Sequence, residues 1–197
     1  MSSSLSTSQG NSNRMSAIKY NVHTVFQDKS KERLSAIAKG LALPVHLMLF
    51  NLDGNMNIAM SIRTAAVLGC SDVWVVGRRK YDARPEVGSK NYINVHKVES
   101  IGDPRAFFER LGVQPFIIEQ GGTPIEEMNF RRALNRPVCF IMGSESHGIP
   151  REFAAALGAP KITISQYGMV RSLNVSIAAS IVMYEFLKQW RSLRREI

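Results

Sequence analysis

The chain reads as a single α/β domain, a mostly parallel sheet with helices on both faces. Three observations predict this. Apolar runs of strand length alternate with helical segments from residue 44 onward. The runs are continuously apolar, as strands covered on both faces require. The glycine-bearing loops fall after strands and before helices, where open α/β sheets bind ligands beyond their carboxyl ends. At 197 residues and 45% hydrophobic content, the chain can fill one core but not two.

Residues 1–16 are dominated by Ser, Asn, Thr and Gln with few bulky apolar groups, so a disordered tail is expected. An N-terminal extension over 17–43 follows, with a short charged helix over 30–39 that turns Leu34, Ile37 and Ala38 to one side and leaves Lys29, Lys31, Arg33 and Lys39 to solvent. The main domain spans 44–197. Within it the patterns predict a buried strand at 45–50, a helix at 57–68 ended by Gly69, and a strand at 72–76. A helix at 104–111 with proline in its first turn, strands at 115–119, 137–142 and 161–164, and a long helix over about 173–191 complete the series.

The net charge of +9, from 25 Lys and Arg against 16 Asp and Glu, favours a polyanionic partner through counterion release. A solvated basic surface explains the charge equally well. The two cysteines, Cys70 and Cys139, sit in apolar sequence, which predicts neither a disulfide nor a nucleophile and points to the cytoplasm. No apolar run approaches the roughly 20 residues of a membrane span, so no membrane partner is expected.

Chemistry-bearing residues concentrate in three segments. In Asn57-Ile-Ala-Met-Ser-Ile-Arg63, Asn57 belongs at a helix start and Arg63 at the border of an apolar face, where its stem can pack and its fork can meet a phosphate. A capping asparagine and a surface arginine are the plainer reading. In Gly143-Ser-Glu-Ser-His-Gly148, glycines flank Glu145 and allow close backbone approach, and Pro150 suits the first turn of a helix. His147 has no spaced metal-ligand partners and no orienting acid, so a hydrogen-bonded loop histidine is expected and no metal. In the third segment Ser172 fits a helix N-cap, Asn174 follows in the first turn, and Ser176, Ala178, Ala179 and Ser180 form a small-residue face that permits close approach of the fold or of a second subunit.

Taken in order, the three segments resemble the motifs of the SpoU/TrmH group of RNA 2'-O-ribose methyltransferases, over about residues 47–190. Lesser matches are Gly88-Ser-Lys-Asn-Tyr-Ile93, Asn129-Phe130 and Tyr184-Glu185, and one departure is Ser165-Gln166 where most members have Pro-Met. The resemblance implies a deep C-terminal trefoil knot, an exception to the rule of unknotted chains. It implies a homodimer and S-adenosylmethionine as methyl donor, held by Ile118, Glu119, Gly143, Ile164 and Leu173. It assigns catalysis to Arg63, with Asn57, Glu145, Ser172 and Asn174, and the third segment is closest to members acting on a guanosine in the tRNA D-loop. An anticodon-loop or ribosomal RNA site and a non-catalytic RNA-binding protein are the alternatives. A nicotinamide enzyme is disfavoured, since no G-x-G-x-x-G follows the first strand.

Overall fold

The computed structural model describes residues 21–50, 56–78, 80–130, 136–144 and 146–194. The expected tail at 1–16 lies outside them.

Six strands form one parallel sheet: β1 Leu43–Phe50, β2 Cys70–Val76, β3 Asn94–Val98, β4 Gln114–Pro124, β5 Val138–Met142 and β6 Lys161–Thr163, in the order β3-β2-β1-β5-β4-β6. The α/β class and parallel sheet are as expected. Two strands differ. β3 was not foreseen, because this edge strand is exposed or half-buried throughout and reads as a polar segment with two valines. β4 runs past the expected end at 119, with a shift in its pairing to β6 between Ile118 and Thr123.

Alternation of side chains divides the strands between two cores. On one face Val45, Leu47 and Leu49 of β1 pack with Phe116, Phe140 and two helices, α2 Met56–Val67 and α5 Val175–Arg194. Both helices are buried along one stripe: Ile58, Ala59, Ile62 and Ala65 on α2, and Ala179, Val182, Met183 and Phe186 on α5. Edge-on ring contacts join Phe116, Phe130, Phe140 and Phe186, and Trp190 stacks on Phe186. Gln189 fastens the segment before the basic stretch, accepting from the Phe130 amide at 3.0 Å and donating to the Met128 carbonyl at 2.9 Å. On the other face Met48, Phe50, Cys139 and Ile141 meet α3 Pro104–Leu111 and α4 Arg151–Leu157.

Local chemistry sets the helix ends. α1, Lys31–Gly40, starts at Ser30, whose hydroxyl accepts from the Arg33 amide at 3.3 Å. α3 starts at Asp103, which accepts from Arg105 and Ala106, with Pro104 at its first position and the left-handed Gly112 at its end. Pro150 stands just before α4 rather than inside its first turn. Both cysteines are buried and unpaired; burial pushes the Cys70 thiol up to about 12 and the Cys139 thiol well above its ordinary value, which makes both poor nucleophiles.

Candidate active site

The carboxyl ends of β4, β5 and β6 converge on a cleft of about 660 Å³. All five residues expected to hold the methyl donor, Ile118, Glu119, Gly143, Ile164 and Leu173, line it, and Ser172 does too. They arrive from four separate segments of the sequence, brought together by strand order.

Backbone approach shapes this cleft. A Cβ on Gly143 would lie 2.2 Å from the Gly148 carbonyl carbon, so no larger residue fits without moving main chain. The approach is held by a two-way bridge in which the Ser144 amide donates to the Gly148 carbonyl at 3.1 Å and the Gly148 amide donates back at 2.9 Å. Gly148 carries a φ of +65°, which explains the second glycine. Glu145 between them lies outside the described residues. His147 is the hydrogen-bonded loop histidine expected: its Nδ1 is 2.5 Å from the Ser146 hydroxyl, and its amide donates to the Ser144 hydroxyl at 3.2 Å.

Gln120 and Lys161, which the sequence did not flag, line the cleft as well. The pairing shift in β4 sends residues 119–122 out of register, which places Glu119 and Gln120 on the cleft. Gly122 permits this, since a Cβ there would lie 2.5 Å from the Lys161 carbonyl carbon. The adjacent pair Gly121-Gly122 was the available signal. Gln120 donates to the Arg171 carbonyl, tying the loop before α5 to the strand, and Lys161 pairs with Glu119 at 2.6 Å. Ser165, at the departure from Pro-Met, donates to Glu126 at 3.1 Å, and Gln166 lines the cleft.

Capping is assigned differently from the sequence reading. α5 begins at Val175, and Asn174, not Ser172, caps it: its Oδ1 accepts from the Ser176 amide at 2.9 Å and the Ser176 hydroxyl at 2.6 Å. Its remaining Nδ2 donates to Asn57 Oδ1 at 3.1 Å. Asn57 therefore sits inside the first turn of α2 as a tether between α2 and the start of α5. The small residues of α5 also serve this chain, with Ser176 and Ala179 buried against its own core. Among the side chains that α2 and α5 leave exposed are large apolar ones: Met56, Met60, Val67, Ile177 and Tyr184.

Arg63 does not line this cleft. It is exposed on α2 between Met60 and Val67 and lines a second cleft, of about 670 Å³, with α1 and the segment before it. Lys31, Arg33, Lys39 and Arg191 are exposed, whereas Lys29 and Lys188 already face Asp28 and Glu185 at 3.3 and 2.9 Å. Among the described residues no group of three or more His, Cys, Asp or Glu is placed to hold a metal, and no helix is long and apolar enough to cross a membrane.

The chain is similar to known proteins in sequence and in fold. The profile of the SpoU rRNA Methylase family matches residues 44–184. The tRNA (guanosine(18)-2'-O)-methyltransferase of Escherichia coli K12 is 33% identical over 138 residues, 68% of this chain and 58% of that protein. The enzyme of the same name from Borreliella burgdorferi is 30% identical over 169 residues, 81% of this chain and 75% of that one. Among solved structures, an AdoMet-bound rRNA methyltransferase from Sinorhizobium meliloti is 27% identical with a TM-score of 0.59, covering 72% of this chain and 54% of the other. The chain thus spans a little over half of the E. coli relative. With a match running from the first strand into the last helix, the chain belongs to the SpoU rRNA Methylase family.

Proposed function

We propose that the protein is an S-adenosylmethionine-dependent methyltransferase acting on a ribose 2'-OH of RNA, with a guanosine in the tRNA D-loop as its substrate. The observation that carries this reading is the single cleft that gathers Ile118, Glu119, Gly143, Ile164 and Leu173 and is tied through Asn174 and Asn57 to the helix bearing Arg63. The guanosine-directed tRNA methyltransferases of E. coli and B. burgdorferi support the substrate, and the AdoMet-bound relative from S. meliloti supports the donor.

The cleft fits such a donor. Gly143 and Gly148 bring main chain close enough for backbone groups to bond a planar base, Leu173 and Ile164 offer apolar cover, and Gln120 fixes the loop that closes it. When bound, the donor supplies an electrophilic sulfonium methyl group. The protein's part is alignment and charge: transfer to a hydroxyl is an in-line displacement by a weak nucleophile, so most of the acceleration must come from positioning and from stabilising the developing alkoxide. Arg63, a planar fork of donors with no acceptor, suits the phosphate and the alkoxide rather than a proton acceptor. Asn57 and Asn174 hold the two segments in register, and to Ser172, which lines the cleft, and to Glu145 this reading gives the role of keeping Arg63 and the donor loop in place.

The same reading takes the chain as a homodimer whose C-terminal segment is knotted. Exposed apolar side chains on α2 and α5, Met56, Met60, Val67, Ile177 and Tyr184, support a partner there. Arg63's position outside the donor cleft also supports a site completed between subunits. The deciding experiment incubates labelled donor with RNA from cells lacking the enzyme. Label is expected on a ribose in the tRNA D-loop; label on a base, or none with donor bound, would overturn the activity. Label confined to ribosomal RNA or the anticodon loop would overturn the substrate.

A further inference from the structure

The cleft beside Arg63 is not used by donor binding, and its composition is mixed in an informative way. Phe26, Ile37, Ala38 and Leu41 supply apolar walls, Tyr92 an aromatic ring, and Arg63 a guanidinium. Among the described residues no carboxylate lies within ion-pair distance of Arg63. Leu41 is 66% exposed although it faces this space, so the surface is open rather than filled. At about 670 Å³ the cleft falls in the range of small-ligand sites, roughly 300–1,000 Å³.

A second observation marks the wall that carries Tyr92. Val87 is held in the left-handed region at φ 48°, costly for a β-branched residue, and Gly88 follows at φ 78°. Beneath them Glu86 is only 2% exposed; one carboxylate oxygen pairs with Lys90 at 2.7 Å and the other has no partner among the described residues. A buried, half-satisfied carboxylate under a strained turn is kept where a loop must present its side chains in one arrangement. Here it presents Lys90 to solvent, and Ser89 and Tyr92 to the cleft.

We infer that this cleft binds an unpaired nucleotide of the RNA substrate, the phosphate on Arg63 and the base against Phe26 and Tyr92. A nucleotide offers both an anion and a flat apolar face, which this lining matches; a purely apolar occupant would leave the guanidinium without a counter-charge. The exposed lysines Lys31 and Lys39 on α1 extend the positive charge along the backbone of such a strand. The inference rests on the RNA substrate proposed above and adds recognition of single-stranded loop structure by residues 21–41, which lie outside the family match at 44–184.

The test measures affinity of the full chain for an RNA hairpin with an unpaired loop and for a fully paired duplex, with Ala38→Trp to fill the cleft and Phe26→Ala to remove its ring. Thermal midpoint and donor binding serve as folding controls. Both variants are expected to lose about tenfold in hairpin affinity, with duplex affinity and the salt dependence unchanged, because stacking releases no counterions. Wild-type hairpin binding by both variants, or equal loss on both RNAs, overturns the inference. So does a change in sedimentation with hairpin affinity intact, which would assign the cleft to a second copy of the chain. A wild type that prefers the hairpin through this cleft yet transfers no methyl group would sink the activity and leave the cleft standing.

Discussion

Asn174 and Asn57, 117 residues apart, share a hydrogen bond of 3.1 Å while Asn174 caps α5 with its other amide atom. One side chain therefore does two jobs that substitution can separate. Asn174→Ala is expected to lose the cap, about 1 kcal/mol, and the tether. Asn174→Ser keeps a capping oxygen but is too short for Asn57, so stability returns and methyl transfer does not. Calorimetry beside single-turnover rates reads both; recovery of rate with serine would show that the tether is dispensable.

The two clefts predict a division of labour. Gly143→Val forces side-chain atoms into the Gly148 backbone and is expected to abolish donor binding, whereas Arg63→Ala should leave the donor dissociation constant within about twofold and remove turnover. Arg63→Lys is not expected to rescue, for want of a planar fork. Titration of each variant with donor, followed by a methyl-transfer assay, checks this. Equal loss of donor affinity in both would contradict it.

Gln120 ties the loop before α5 to β4. Gln120→Ala is expected to weaken donor binding by about three- to tenfold, the worth of one net hydrogen bond, without altering RNA affinity. Unchanged donor affinity would mean the loop is held by its other contacts.

Stability should fall on acidification in two stages because of a cluster on β1, β2 and β3. Burial lowers the His46 value, with His96 adding to it and Asp72 opposing. Burial would raise Asp72, but the 2.7 Å bond to His96, the Ser71 hydroxyl and the nearby His46 outweigh it and hold it low. Both folded values lie below the unfolded ones, so each group stabilises above its unfolded pKa, about 6.5 for His and 3.9 for Asp, and loses that contribution as pH falls through its folded value. His46→Gln should flatten the upper stage and Asp72→Asn the lower in urea unfolding followed against pH. Identical slopes in the variants would remove the cluster from the account.

Lys31 and Lys39 are exposed on α1, where they line a further hollow with Ser35 and Asn91. Replacing both by alanine should weaken RNA binding and make log K against log salt shallower by roughly 1.4–1.8. An unchanged slope would place the RNA elsewhere.

Sequence alone determined the parallel α/β class and most elements. Continuous apolar runs and caps are local signals; the proposed donor residues came instead from the family resemblance of short segments, and the fold brings them to one cleft. The sequence did not reveal β3, whose exposed edge lacks an apolar run, or the excursion of β4, which exists only because β6 pairs on both sides of it. The partner of Asn57 was hidden for a similar reason. Capping chemistry allowed either Ser172 or Asn174 to start α5, and only the packing of α5 against α2 decided which amide faced the other helix. That Arg63 opens onto a cleft built by residues 21–41 was also beyond the sequence, since an exposed arginine on an amphipathic helix looks the same whatever lies across from it. Periodicity fixes which side of an element is buried; what stands opposite depends on contacts distant in sequence, and those follow from strand order and helix packing.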